Sequence, residues 1–344
     1  MNIQDLVRPN IRQLVPYSSA RSEFTGAASV FLDANENPFN NPYNRYPDPL
    51  QREVKALISQ IRGIPAENIF LGVGSDECID VVYRTFCRPG IDNVVAMSPS
   101  YGMYEVCADI NDVAYRRVPL TDDFLLDADA MLAAAESCTK VMWICSPNNP
   151  TGNAFPLDVI AGLCSRFPGI VVVDEAYIDF STRGSMLSHL AATPNLIVMQ
   201  TLSKAWGSAA VRLGIAFASQ EIIDIFNKVK YPYNINLLTQ RYAVDILKRH
   251  TEVTAWVDRL KENRTALIAA LSGLPCVCHI YPTDANFVLV RVTDADAIYD
   301  FLRSRGIIVR NRNRVEKCLG CLRITVGTAD ENATLINTLL DYGK

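Results

Sequence analysis

Residues Ile197–Gly214 read IVMQTLSKAWGSAAVRLG. The stretch opens as a short apolar run of the kind a buried strand gives, then breaks into Thr201, Ser203 and Lys204, with Arg212 eight residues beyond the lysine. Lysine is rarely buried without a partner or a task, and its amine forms Schiff bases with carbonyl compounds. Two hydroxyls and a planar guanidinium are what a phosphate group needs nearby. The combination suggests an aldehyde that also carries a phosphate, such as pyridoxal phosphate, held on Lys204. A surface loop with a solvated lysine is the plainer alternative, and this stretch alone leaves it open.

Working outward, the same grammar recurs. NVVAMSPSYGMY from Asn93, KVMWICSPNNPTG from Lys140, GIVVVDEAYIDF from Gly169 and LIVMQTLSK from Leu196 are each a β-rich apolar run ending in polar residues. Helical spacing lies between them, as in Leu157 to Phe167. Strand and helix in alternation predict a mostly parallel sheet with helices on both faces. In such folds ligands bind beyond the carboxyl ends of the strands. Tyr101, Asn148, Asn149, Asp174, Tyr177 and Lys204 all follow apolar runs, so the topology would gather them at one edge.

Asp174 closes the run Ile170 to Val173, where an unpaired carboxylate is costly. A pyridinium nitrogen would suit it; a helix cap or an arginine partner is equally allowed. Upstream, IFLGVGSDECIDVVYRTFC ends a run in Gly72 and Gly74, with Ser75 as the expected N-cap and a helix face at Cys78, Ile79, Val82 and Phe86. A glycine turn opening a helix is a ready anion site. Asp76 and Glu77 in the first turn fit plain capping as well. Position 77 is Glu, so the dinucleotide pattern G-x-G-x-x-G is absent.

Residues before about 30 read as an arm, followed by loops rich in Asn, Pro and Asp (FLDANENPF, NRYPDP) and by helical spacing at Leu50, Val54, Leu57, Ile58 and Ile61. Long helical patterns from Leu237 to Leu271 lead to a smaller α/β region, read as strand (VCHIYPTDANFVLVRV), helix (Ala295 to Arg305), strand (GIIVRNRNR) and strand (CLRITVG). Arg310 and Arg323 would then lie on adjacent strands.

The 344 residues, 49% hydrophobic and 20% charged, suit a two-domain globular chain with a sizeable core. A net charge of -4 with no basic block gives no footprint for nucleic acid. The N-terminus lacks a signal-peptide layout, and no apolar run reaches the roughly 20 residues of a membrane span. A cytoplasmic protein is expected. Ten cysteines are scattered through core-like runs and read as reduced, buried small hydrophobes. Cys276-Val-Cys278-His279 and Cys318-Leu-Gly-Cys321 can be drawn as a zinc site, but C-x-C is not the usual spacing. Core packing is the expectation, with no metal.

The chain resembles the fold-type I pyridoxal-phosphate aminotransferases, and within them the histidinol-phosphate branch. The matching pieces are DANENP (33–38), YPDP (46–49), GVGSDE (72–77), SYGMY (100–104), PNNPTG (147–152), VVVDEAYIDF (171–180), TLSKAWG (201–207), RLGIAFA (212–218), PYNIN (232–236), ANFVLV (285–290) and CLRITVGT (321–328). PNNPTG with SKxxG and a following Arg marks the superfamily; DANENP, DEAYIDF and CLRITVGT mark the branch.

The resemblance implies an α/β fold: a large domain (46–240) with a mostly parallel sheet flanked by helices, and a smaller α/β C-terminal domain (241–344). Residues 1–45 would form an arm and loop packing on the small domain and the partner subunit. It implies Lys204 as Schiff-base lysine and proton shuttle, Asp174 on the ring nitrogen, Tyr177 and Asn149 at the ring oxygen and Tyr101 stacked on the ring. Gly74, Ser75, Asp76, Thr201, Ser203 and Arg212 would surround the cofactor phosphate, with Tyr46 reaching it from the neighbouring subunit of a homodimer. Tyr17, Asn35, Arg310 and Arg323 would bind substrate. The reaction implied exchanges an amino group between histidinol phosphate and 2-oxoglutarate, in histidine biosynthesis. A phosphothreonine decarboxylase or an aromatic amino acid aminotransferase of the same fold is the alternative. One segment departs from the pattern: Ser208-Ala209-Ala210-Val211 stands where the family has a leucine- and glycine-containing piece.

Overall fold

The computed structural model describes residues 2–17 and 28–342. Seven strands form the larger sheet: β1 (Ile69–Val73), β2 (Asn93–Ser98), β3 (Ala114–Pro119), β4 (Thr139–Cys145), β5 (Ile170–Asp174), β6 (Leu196–Thr201) and β7 (Leu213–Phe217), in the spatial order β1-β7-β6-β5-β4-β2-β3. Strands β3, β2, β4, β5 and β6 run parallel. Their continuous Val/Ile runs are what burial on both faces requires: Ile170 to Val173 and Leu196 to Met199 have no exposed surface. Burying each such side chain contributes roughly 1.5–3 kcal/mol.

Strand β7 is antiparallel to both β6 and β1. Between Thr201 and Leu213 the chain is too short for a parallel crossover, which takes a dozen or more residues, so it must double back. Lys204 and Arg212 therefore sit in one loop, at the edge where β1, β2, β4, β5 and β6 end. Helix Gly74–Phe86 starts at that edge too, beside β7. A Cβ on Gly214 would lie 2.2 Å from the Gly74 carbonyl carbon and 2.3 Å from the Ser75 nitrogen, so only glycine lets strand and helix start meet.

The smaller sheet is wholly antiparallel: β8 (Val277–Ile280), β9 (Phe287–Val292), β10 (Arg310–Asn311) and β11 (Cys321–Thr325), in the order β10-β11-β9-β8. Its period-2 alternation splits two cores. Val288, Val290, Leu322 and Ile324 pack with helices His250–Ser272, Ala295–Ser304 and Ala329–Leu340. Phe287, Leu289 and Cys321 join the core of the large sheet. Arg323 is paired with Leu289 and with Arg310 across the ladder, so both arginines share the face turned toward the large sheet.

The units are stapled at the PNNPTG turn. Asp284 N–H donates to the Gly152 carbonyl (2.7 Å), and Ala154 N–H donates to Asp284 Oδ2 (2.9 Å). Gly152 has φ +88°, and a Cβ there would meet Thr283 Oγ1 at 2.5 Å. Phe124 and Tyr281 add an edge-to-face contact at 5.0 Å.

Several expectations need correcting. VCHIYPTDANFVLVRV is not one strand but the pair β8 and β9, because Pro282 and Asp284 sit in a turn within it. In GIIVRNRNR only Arg310–Asn311 pairs into the sheet. Ser75 is not the N-cap; the helix begins at Gly74, and Val73 caps it without a side-chain bond. The start of the arm does not pack on the small unit: Ile3 and Val7 are buried in the large core, and Arg8 N–H donates to Thr85 O (3.0 Å). Residues 18–27 of that arm lie outside the described residues. All ten cysteines are free; eight are buried, Cys138 is half-buried and Cys278 is exposed.

Candidate active site

A cavity of about 1220 Å³ opens between the two sheets, at the carboxyl edge of the larger one. Ser75, Asp76, Tyr101, Asn149, Asp174, Tyr177, Thr201, Ser203, Lys204, Arg212, Arg310 and Arg323 all reach it. Seven basic side chains line it against four carboxylates, so it favours anions.

At its floor Asp174 is 2% exposed. The buried Tyr104 hydroxyl donates to Asp174 Oδ2 (2.7 Å), and Ala176 N–H donates to Oδ1 (3.0 Å). Burial raises this carboxyl above its ordinary range, while those two donors and Lys204 pull it back down. Tyr104 is fixed by stacking on Trp143 (4.8 Å), which stacks in turn on Tyr83 (5.5 Å).

The next residue, Glu175, turns away from the cavity. Its carboxylate accepts from Ser185 Oγ (2.5 Å), Met186 N–H (2.7 Å) and Gln200 Nε2 (3.0 Å), and burial lifts it to about 7. These bonds anchor the loop that delivers Tyr177. The Tyr177 ring centroid lies 5.7 Å from Lys204 Nζ. Burial lowers the Lys204 amine, nearby Arg323 and Arg212 lower it further, and Asp174 opposes them. A lowered amine is readier to act as nucleophile or base near neutrality.

Arg212, in the left-handed region at φ 54°, donates to Ser203 Oγ (3.4 Å), Ala209 O (3.3 Å) and Asp76 Oδ2 (3.1 Å). The unfamiliar Ser208–Val211 segment forms a short 3-10 turn and supplies the Ala209 carbonyl that holds this guanidinium. Gly74 N–H donates to Arg212 O (2.9 Å), and a Cβ on Gly74 would strike the guanidinium at 2.4 Å. A helix start, a serine hydroxyl and an arginine thus converge on one anion-sized corner. Thr201 contributes less than its residue type suggests: its hydroxyl lies 3.1 Å from Leu213 O and accepts from Ser203 N–H (3.1 Å). Tyr101 donates to Asp76 Oδ1 (3.2 Å).

From the small unit, Arg323 Nη1 donates to Asn149 Oδ1 (2.5 Å), and the guanidinium lies 5.2 Å from the Phe287 ring centroid. Glu316 takes the Ser98 hydroxyl, and Lys317 Nζ donates to Asp122 Oδ1 (2.9 Å), so the loop before β11 is tied across the cavity mouth.

Tyr17, Asn35 and Tyr46 do not line this cavity. Tyr17 and Tyr46 are 76% and 51% exposed, and Asn35 is exposed with φ 53°. Tyr46 stacks on Tyr233 (4.4 Å), on a loop fixed by Lys230 Nζ, which donates to the carbonyls of Pro49, Tyr231 and Pro232. Two residues carry no role in the sequence reading: Tyr104, buried against Asp174, and Arg312, in the cavity lining. Tyr104 was quoted only within SYGMY; its depth follows from long-range packing on Trp143. For Arg312, the two-residue spacing from Arg310 is the signal that places it on the same strand face.

The family model for aminotransferases of class I and II matches residues 25–339. The chain belongs to that family. The aminotransferase is 57% identical to histidinol-phosphate aminotransferase of Bacteroides fragilis over 341 residues, 99% of each chain. It is 49% identical to the histidinol-phosphate aminotransferase of Cytophaga hutchinsonii, again over 99% of each chain. The histidinol-phosphate aminotransferase of Sinorhizobium meliloti, solved in complex with pyridoxal-5'-phosphate, superposes on the aminotransferase with a TM-score of 0.78 at 25% identity, covering 86% of this chain and 82% of that one. Among the described residues of the aminotransferase no helix is long and apolar enough to cross a membrane.

Proposed function

We propose that this chain transfers an amino group between histidinol phosphate and 2-oxoglutarate, yielding imidazole acetol phosphate and glutamate, as a step of histidine biosynthesis, and that it uses pyridoxal phosphate. The observation that carries this reading is one anion-favouring cavity that holds Lys204, the buried Asp174 and the Arg323–Arg310 pair together. The relatives' names support the substrate and weigh against decarboxylation.

The residues fit the cofactor. The corner of Ser75, Ser203 and Arg212 would hold its phosphate, and Asp174 its ring nitrogen. Tyr177 and Asn149 would face the ring oxygen, and Tyr101 a ring face. Bound there, pyridoxal phosphate supplies an aldehyde that takes up the substrate amine and a protonated ring that accepts electrons from Cα. Lys204 Nζ would be the amine that holds the aldehyde. The same amine, when free, would be the base that takes the proton from the substrate's Cα. Asp174, oriented by the Tyr104 hydroxyl and Ala176 N–H, would face the ring nitrogen and hold its proton. Arg323 offers a planar fork that accepts carboxylate or phosphate in a bidentate manner, so one residue serves both half-reactions.

Mixing the purified, cofactor-loaded protein with histidinol phosphate and 2-oxoglutarate is expected to release glutamate. Carbon dioxide from phosphothreonine without glutamate formation would replace this reading by the decarboxylase.

The proposal extends to a cytoplasmic homodimer with shared sites, each chain divided into an arm (1–45), a large unit (46–240) and a small unit (241–344). Tyr46, outside its own cavity and held out by Tyr233, would reach the cofactor phosphate of the neighbouring subunit. Mixtures of Lys204→Ala and Tyr46→Ala chains are then expected to exceed the activity of either parent, since some mixed dimers keep one intact site. No gain after verified subunit exchange counts against sharing.

A further inference from the structure

Arg312 stands two residues beyond Arg310, and its N–H donates to Cys321 O (2.9 Å), which carries the ladder register past the end of β10. Its side chain therefore returns to the face that bears Arg310 and Arg323, and it lines the same cavity. It is half-buried, its Nε is buried with no hydrogen-bond partner among the described residues, and the same is true of Arg323 Nε. The nearest carboxylate in its own segment, Glu316, is committed to Ser98. Burial and the neighbouring arginines draw the Arg312 guanidinium down to about 10, which leaves it charged near neutrality. Three like charges on one face of the sheet repel each other, and two buried N–H groups without acceptors are costly. A ligand that brings negative charge and oxygen acceptors relieves both.

We infer that Arg312 is a specificity-determining residue that binds the substrate's phosphate group, alongside Arg323 and Arg310. This rests on histidinol phosphate being the substrate. A carboxylate presents two oxygens, which a single guanidinium fork satisfies; a phosphate dianion presents three and a second charge, and so engages a further arginine.

The test compares histidinol phosphate with unphosphorylated histidinol as amino donor for the cofactor-loaded wild type, Arg312→Gln and Arg312→Lys. Their binding is followed separately through the cofactor's absorption band. Losing one partner of a desolvated, hydrogen-bonded charge pair predicts a drop on the order of 30-fold or more in kcat/KM and in affinity for histidinol phosphate. Histidinol, which has no phosphate for Arg312 to bind, should change by less than about threefold. Arg312→Lys, which keeps the charge but not the fork, should fall between. Equal losses on both donors, or no loss on histidinol phosphate, would overturn the role of Arg312 and leave the substrate assignment standing. A wild type that does not prefer the phosphorylated donor would overturn the substrate assignment and this inference with it. Should Arg312→Gln fail to fold, Arg312→Lys decides: an unchanged ratio of the two donors rejects the inference.

Discussion

Lys204→Ala is expected to abolish turnover while leaving the chain folded. The side chain reaches into the cavity and keeps exposed surface there, so its loss removes little core packing. What it removes is the only amine among the cavity's lining residues, and with it two functions at once. A positioned general base is worth about 10²–10⁴-fold in rate, and the covalent hold on the cofactor adds to that. A fall on the order of 10⁴-fold in the rate of proton removal from Cα follows. Stopped-flow absorbance of the cofactor band after addition of substrate measures it directly. Borohydride should fix the cofactor to the wild type and leave the variant unlabelled. Near wild-type turnover in the variant would end the assignment of Lys204.

The second large effect belongs to Arg323→Ala. Arg323 is half-buried, lies above the Phe287 ring and holds Asn149 Oδ1 at 2.5 Å. Truncation removes the anion's partner and also leaves Asn149 without its donor, so binding and the placement of a ring-side residue fail together. Truncating one partner of a desolvated charge pair costs roughly 2–5 kcal/mol, or on the order of 30- to several-thousand-fold. Both half-reactions are expected to lose by that order, because the same fork serves phosphate and carboxylate. Single-turnover rates with each substrate separate the two halves. Loss in one half alone would mean that the second substrate uses another anchor. Arg323→Lys keeps the charge but not the bidentate geometry, and is expected to recover only part of the loss.

The large sheet was legible because its strands advertise themselves: Ile170–Asp174 and Leu196–Thr201 are apolar throughout and end in polar residues, a pattern that parallel burial imposes. The gathering of Lys204, Asp174 and Asn149 at one edge then followed from topology. What local sequence does not carry is who packs against whom. Nothing in SYGMY says that the second tyrosine, and not the first, reaches Asp174; that depends on Trp143, some forty residues later. Thr201 looked like a phosphate ligand by type, yet its hydroxyl lies against Leu213 O, a contact made only once β7 folds back. Ser75 looked like a cap, but Gly214 lets β7 press on Gly74 and the helix starts two residues early, with Val73 as its cap. Arg312 is one of three arginines in five residues, and only pairing of Arg310 with Arg323 fixes which way they face. Tyr17, Asn35 and Tyr46 lie away from their own chain's cavity, so their assigned roles belong to the proposal and to its test by subunit mixing.

The staple at the PNNPTG turn limits how this architecture can be recombined. The turn belongs by sequence to the larger unit, but Gly152 has no room for any side chain beside Thr283, and two hydrogen bonds, one from the Asp284 backbone and one to its carboxylate, bind the turn to Asp284. Three residues before that glycine, Asn149 is the acceptor for Arg323. A chimera that swapped only the C-terminal segment between distant relatives would pair a foreign 283–285 loop with a resident turn, and would misplace the contact that joins the two halves of the active site. The interchangeable module is therefore discontinuous: residues 147–154 travel with the C-terminal unit, however far apart they are along the chain.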